Sequence, residues 1–168
     1  MLSDTHILSN LQKINTVYQN SSNDLDLPAL FSKLAILEVC GWIEEAMDNI
    51  VLECANRLTL NIDDLDTFEK ESVKKTYSFS YDKHFRRLLV QLIGLRSIAA
   101  VEQKLDQAIF AKFKSDIYSL KVRRDDFAHA HVQQITHNFD APSVTIPRFR
   151  RVYSGLSDIE NTLIGLGH

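Results

Sequence analysis

The feature that most constrains this sequence is a long series of residues at helical spacing. Between residues 98 and 127 its members recur every three or four positions, so they share one face of a helix. Eight of the nine are apolar and one is charged: Ile98, Val101, Leu105, Ile109, Phe113, Ile117, Leu120, Arg124 and Phe127. The spacing predicts a single helix that begins near residue 97 and continues through Arg124.

Arg124 occupies a position where an apolar side chain is expected. An isolated buried charge is strongly unfavourable, so Arg124 should face a cleft, a partner subunit or an anionic ligand. Asp125 and Asp126 follow it directly, and His129 and His131 come within about two helical turns. A permanent cation, a polar orienting residue and an imidazole that titrates near neutrality are the groups that phosphate chemistry requires. Arg124, Asp125, His129 and His131 are therefore the candidate catalytic residues, with the role of His131 left open.

Length and composition predict a mostly helical domain. The chain has 168 residues, enough for one domain with a real core, and contains only 5 Gly and 3 Pro, which disfavours a sheet with many tight turns. We expect a single domain over residues 1–168, with an N-terminal helix and turn in residues 1–24 and a helical core in residues 28–168.

Periodicity and breaks place six helices along the chain. We predict them over residues 4–19, 28–58, 63–77 and 82–94, then from residue 97 through the central stretch, and finally from about residue 148. Residues 133–147 lack periodicity and contain two prolines, so we predict a loop there, with a short extended piece at residues 143–146.

The sequence lacks the signals of membrane insertion and of disulfide bonding. No apolar run approaches the roughly 20 residues that span a bilayer, and the first residues resemble no signal peptide. Cys40 and Cys54 lie on one predicted helix about 21 Å apart along its axis, too far for a disulfide. We therefore expect buried free thiols and a cytoplasmic protein.

Positive charge is concentrated late in the chain. The net charge is -3, but residues 112–151 carry 8 Lys and Arg against 4 Asp and Glu, whereas residues 1–111 carry a balance of -5. Such an asymmetry draws a phosphodiester to one face. The arginines at the start of the last helix either contact a phosphate or are simply solvated: Arg148, Arg150 and Arg151.

The string from Arg124 to His129, R-D-D-F-A-H, resembles the signature of the HEPN superfamily. In that signature an arginine, a polar residue, about three variable residues and a histidine lie late in an all-helical domain. The earlier A-I-L-E-V-C-G-W-I-E-E-A helix is also similar, and the chain past Pro28 resembles the small stand-alone HEPN proteins of prokaryotic defence and toxin–antitoxin operons. The resemblance implies a HEPN-like all-α bundle of about five to six helices.

The resemblance also implies a function. It indicates a metal-independent endoribonuclease with no cofactor, which acts as a homodimer with its two signatures at the interface. It implies a toxin or defence effector, restrained by an antitoxin or regulatory partner. Two His129 side chains would transfer protons while Arg124 holds the phosphate. The basic residues expected to contact RNA are Lys121, Arg123, Arg148 and Arg151.

The chain departs from the signature at one position, and the register leaves a choice. Some members carry a tyrosine two positions after the histidine, which a partner nucleotidyltransferase modifies; here that position is His131. Arg123 competes with Arg124 for the signature arginine. We prefer Arg124 because it lies on the helical stripe and a polar residue follows it.

Less specific interpretations stay open. Arg124 could be a helix-end cation paired with Asp125, Asp126 or a distant acid, while His129 and His131 cap C-terminal carbonyls. The chain could instead be a non-catalytic helical module whose Arg124 cleft binds a nucleotide or a protein. A metal site is a third reading, from three histidines whose spacing matches no known zinc pattern: His129, His131 and His137.

Two other patterns favour structural roles. Three acidic residues of the second helix predict a solvated face: Glu38, Glu45 and Asp48. The aromatic run at residues 77–81 predicts parts of the core rather than platforms for base stacking.

Overall fold

The computed structural model describes residues 2–21, 26–59, 61–129 and 140–168, apart from the side chains of residues 128 and 129. Within these ranges the chain is all-α and forms no strand, so the predicted fold class is confirmed. The six α-helices are α1 (Thr5–Asn20), α2 (Leu27–Leu58), α3 (Ile62–Phe68), α4 (Arg86–Lys104), α5 (Gln107–His129) and α6 (Pro142–Gly165). Two π-helical segments, Glu69–Val73 and Tyr81–Phe85, lie between α3 and α4.

Helix α2 is the centre of the bundle. It contacts α1, α4, α5 and α6, which requires apolar side chains on more than one of its faces. The predicted stripe of α2 is buried as expected: Ile36, Cys40, Ile43, Met47, Ile50 and Cys54. Trp42 lies at the margin of this core, with its ring 4.9 Å from that of Phe149 on α6 in an edge-to-face arrangement.

The long helix predicted from residue 97 is in fact two helices. Helix α4 ends at Lys104, Leu105 has an extended backbone, and α5 begins at Gln107. Asp106 causes the restart, because its carboxylate accepts the backbone N–H groups of Ala108 and Ile109 at 2.8 and 3.0 Å, as an N-cap residue does. The apolar series stays largely buried through the break, which is why its periodicity did not reveal the break.

Helix α6 begins earlier than the sequence predicted. The loop expected up to residue 147 is wrong for residues 142–147, because α6 starts at Pro142. Pro142 is at the first helical position, where its missing N–H and fixed φ are tolerated. Pro147 lies inside the helix, where one backbone hydrogen bond is lost. The remainder of the predicted loop, residues 133–139, lies outside the described residues.

Between α3 and α4 the chain is less regular than predicted. Asn61 caps α3 by accepting the N–H of Asp63 at 3.0 Å, and a π-helical segment replaces the predicted end of that helix at residue 77. The next helix is likewise preceded by π-helical turns, and continues past Gly94. Gly94 forms a kink there, with a φ of 78° that glycine adopts without steric cost.

Glu102 near the end of α4 holds the second π-helical segment in place. Its carboxylate accepts hydrogen bonds from the Arg86 Nε at 2.7 Å and from the Tyr81 hydroxyl at 2.8 Å. Both hydrogen bonds lower the pKa of Glu102, and the bond from Arg86 has the larger effect. This contact fixes the segment that carries His84 against the start and the end of α4.

Both cysteines are buried and free, as predicted. Burial raises the pKa of the Cys40 thiol to about 12, so this thiol is protonated at neutral pH and is a poor nucleophile. None of the helices in the described ranges has the length and apolar character that crossing a membrane requires.

Helices α5 and α6 approach closely at Gly155. A Cβ atom at this position would lie 2.5 Å from the Cβ of Phe113, which is itself fully buried on α5. No side chain larger than hydrogen fits without moving one helix. The contact therefore sets the separation of the two helices that carry most of the predicted site.

We predict opposite effects for two glycine-to-alanine substitutions. Gly155→Ala should lower the free energy of unfolding by about 1–3 kcal/mol, the usual cost of overpacking a core. Gly41→Ala should raise it by up to about 1 kcal/mol, because Gly41 is exposed within α2 and a Cβ there meets no atom within 4 Å. Urea unfolding of both variants measures the difference, and equal stability of Gly155→Ala and wild type would contradict the packing account.

Candidate functional site

Arg124 lies on α5, where several groups hold its side chain. The guanidinium is 28% exposed, and its Nη2 donates to the Glu44 Oε1 at 3.0 Å across the interface with α2. Nη2 also reaches the Ser78 hydroxyl at 3.5 Å, and Nε lies 3.5 Å from a carboxylate oxygen of Asp125. The guanidinium carbon is 5.5 Å from the centre of the Phe79 ring, within cation–π range. Arg124 is thus a fixed cation rather than a solvated one.

The loop before the second π-helical segment supplies two of these contacts. Phe79 is fully buried beneath the guanidinium. Ser78 has a φ of 95°, in the left-handed region that non-glycine residues rarely adopt. Such strain persists where the surrounding structure holds it in place, and it often lies at functional sites. Here the strained residue presents its hydroxyl to Arg124.

Arg124 borders a cleft of about 410 Å³ between α2, α5 and the loop at residues 73–78. Glu44 and Asp48 lie one helical turn apart on its α2 wall. Of the three acids predicted to form a solvated face, Glu45 is exposed, whereas Glu38 and Asp48 are only partly exposed. Burial, and to a smaller extent the charge of Glu44, raises the pKa of Asp48 to about 6. The cleft therefore combines a cation with a carboxyl group that titrates near neutrality.

The other predicted basic residues are paired with acids inside the chain. Lys121 lies 2.6 Å from a carboxylate oxygen of Asp125. Arg123 and Arg148 both contact Asp140, which joins the end of α5 to the start of α6. Arg151 forms two hydrogen bonds with Asp116, at 2.6 and 2.9 Å. These pairs offset much of the local positive charge, and their role in binding RNA stays a prediction.

The predicted histidines lie at the edge of the described structure or beyond it. His129 is the last residue of α5, and its side chain is outside the described part, as are His131 and His137 in full. Among the described residues, no group of three or more His, Cys, Asp or Glu could hold a metal ion. Five residues along an α-helix correspond to a rise of about 7.5 Å and a rotation of about 140°. Positions 124 and 129 therefore do not lie on one face of α5.

Three residues near Arg124 were missed by the sequence reasoning. Glu44 and Ser78 contact it directly, and His84 lies in the adjacent π-helical segment. Burial is the main cause that lowers the pKa of His84, followed by the positive charges of Lys121, Arg87 and Lys83. The sequence did contain a signal for Glu44. It follows buried Cys40 by four residues, so it is a charged residue on the same helical face as a core residue.

A larger cavity than the Arg124 cleft lies elsewhere among the described residues. It has about 630 Å³ and is lined by parts of α1, α2 and α6, including Trp42, Glu45, Glu53 and Glu160. None of the predicted site residues whose side chains the structure describes borders it. Three carboxylates disfavour a polyanion in this cavity, so the Arg124 cleft is the better candidate for phosphate chemistry.

Comparisons of the chain with protein-family models, curated proteins and solved structures find no match. The resemblance to the HEPN superfamily therefore rests on the string from Arg124 to His129 and on its place at the end of a long helix. Function has to be inferred from the geometry and chemistry of the site itself.

We predict a pH-dependent contribution of Asp48 to stability. Because its pKa in the folded protein, about 6, exceeds its usual value near 4, its favourable contribution is complete below pH ~4 and is lost as the pH rises through 6. Asp48→Asn should therefore stabilise the protein more at pH 8 than at pH 5, as measured by urea unfolding. Glu45→Gln, which alters an exposed acid of the same helix, is the control. An equal effect of Asp48→Asn at both pH values would contradict this account.

Proposed function

We propose that this protein is a metal-independent endoribonuclease of the HEPN type, with its active site at a homodimer interface. The observation that carries the proposal is the Arg124 guanidinium, held at the edge of a cleft by Glu44 and lying within cation–π range of the Phe79 ring. A preorganised cation stabilises developing negative charge without reorganising during the reaction. The toxin or defence role, with an antitoxin or regulatory partner, belongs to this proposal through the resemblance.

The proposed reaction needs no group beyond those of the chain. The 2′-oxygen of a ribose attacks the adjacent phosphorus and gives its proton to one His129, which acts as the base. The bond from phosphorus to the 5′-oxygen breaks, and a second His129 protonates the leaving oxygen. Arg124 stabilises the extra negative charge on the phosphate oxygens. The products are a 2′,3′-cyclic phosphate and a free 5′-hydroxyl.

Two observations support a shared site between two copies. Positions 124 and 129 do not lie on one face of α5, and a two-fold axis repeats both positions on a second copy, so a symmetric partner would supply the second imidazole that the reaction needs. In addition, leucines on the N-terminal half of α2 recur at the 3–4–3 spacing of a coiled-coil seam and are each about 40% exposed: Leu27, Leu30, Leu34 and Leu37. A contiguous apolar face of this kind favours contact with another protein surface, here a second copy.

We predict that Arg124→Ala and His129→Ala each reduce RNA cleavage by about 10² to 10⁴-fold while the protein stays folded. Cleavage of RNA in EDTA, followed by gel electrophoresis, measures the rate, and circular dichroism checks the fold. Arg124→Lys should lose most of the activity as well, because an ammonium cannot supply the bidentate fork. His6→Ala, which changes an exposed histidine of α1, should cleave like wild type. Full activity of Arg124→Ala in EDTA would refute the assignment.

We also predict that the leucine face is needed for dimerisation and cleavage. Leu34→Glu should convert the dimer to a monomer and abolish activity, because a charge on an apolar two-fold interface is repeated on the opposite copy. Size-exclusion chromatography with light scattering measures the mass. Leu58→Glu, at an exposed leucine at the other end of α2, should stay dimeric and active. An active monomer of Leu34→Glu would rule out the shared site.

A second candidate is a non-catalytic module whose Arg124 cleft holds a nucleotide or a protein. The pairing of Arg124 with Glu44 and Asp125 favours it, because both carboxylates already compensate the charge of the guanidinium. This alternative is supported if the wild-type dimer cleaves no RNA in EDTA but is stabilised against heat by a nucleotide.

A further inference from the structure

A second groove, here called the basic groove, lies beside the Arg124 cleft. It has a volume of about 360 Å³, and its charged and aromatic lining consists of Lys75, Tyr77, Lys83, His84 and Arg87. Thr76 and Tyr77 border both the basic groove and the Arg124 cleft, so the two lie side by side. Among the described residues that line the basic groove, none is acidic.

The cations of the basic groove are more available than those predicted from the sequence. Lys83 and Arg87 are exposed and form no ion pair with any described residue. Lys75 is paired only with Glu71, on the exposed surface of the first π-helical segment. By contrast, Lys121 and Arg151 are each held by an acid on α5. Unpaired exposed cations can neutralise phosphates without first breaking a contact inside the protein.

Tyr77 gives the basic groove a second kind of contact. The prediction that the aromatic run belongs to the core is right for Phe79 and Tyr81, which are buried, but wrong for Tyr77, which is 82% exposed. An exposed aromatic ring between two grooves is a surface on which an unpaired base can stack. Cations and an exposed ring together form the pattern used to bind single-stranded nucleic acid.

We infer that the basic groove binds single-stranded RNA next to the phosphate held by Arg124, with one base stacked on Tyr77 and the neighbouring phosphates paired with Lys83 and Arg87. The location of this subsite follows from the groove, while the choice of RNA over DNA rests on the proposed ribonuclease function. The subsite is separate from the signature in the sequence. Its residues lie in the segment before α4 and in the first turn of α4, whereas the signature lies at the end of α5.

Binding can be measured without cleavage by using a fluorescent 2′-O-methyl RNA of about ten nucleotides, since it lacks the attacking hydroxyl. Lys83→Gln/Arg87→Gln should bind it about tenfold or more weakly than wild type in fluorescence anisotropy. The slope of log Kd against log salt should fall by about 1.4, because each phosphate contact in a single strand contributes about 0.7. Arg96→Gln/Lys104→Gln removes two exposed cations from α4 beyond the Gly94 kink and should change both quantities far less.

Tyr77 is tested separately from the charges. Tyr77→Ala should weaken binding about fivefold or more with the salt slope unchanged, whereas Tyr77→Phe should bind like wild type, because stacking uses the ring and not the hydroxyl. A double-stranded RNA of the same length should bind more weakly than the single strand, since paired bases cannot stack on a side chain. Equal affinity for both, or no effect of Tyr77→Ala, would overturn the stacking role.

The outcomes separate this inference from the ribonuclease proposal. If the groove variants lose binding but wild type cleaves no unmodified RNA, the basic groove stands and the ribonuclease fails. If wild type cleaves RNA and Lys83→Gln/Arg87→Gln binds and cleaves like wild type, the ribonuclease stands and the basic groove is wrong. Loss of binding equal to that of the Arg96→Gln/Lys104→Gln control also overturns the basic groove, because it indicates a general effect of charge.

Discussion

The pairing of Arg124 with Glu44 is the contact on which the site depends. It joins α5 to α2 and lies above buried Phe79, so it determines where the cation sits relative to the cleft. The side chains are 28% and 41% exposed, which places the pair closer to a surface ion pair than to a buried one. Such pairs contribute about 0–1 kcal/mol to stability. The main effect of the contact is therefore to position Arg124 rather than to stabilise the bundle.

Much of the fold could be predicted because the core residues repeat with the helical period. The stripe of α2 and the inner face of α6, from Phe149 to Leu163, are buried as their spacing indicates. The break at Leu105 was missed, because burial on both sides of it kept the period intact. The start of α6 at Pro142 was missed because proline suggests a loop and is also compatible with a first helical turn.

The site was predicted only in part, because the sequence pattern of one helix does not reveal which residues of other elements it contacts. Arg124 could be recognised as a cation in register with apolar residues, which is information carried by one helix. Its partner Glu44 is 80 positions away in the sequence, and Ser78 is 46 positions away. Spacing within a helix does not reveal contacts between elements, so these residues emerged only from the packing of α2, α5 and the loop before α4. The same holds for His84 and the cations around it.

The left-handed backbone at Ser78 has a consequence for the aromatic residues on either side of it. Phe79 is directed into the interior, and Tyr77 stays outside. One short turn thus places Phe79 under the guanidinium and Tyr77 at the edge of the neighbouring groove. Any change that straightened this turn would disturb both at once, so the position of the cation and the stacking of a base are linked through the backbone of one residue, Ser78.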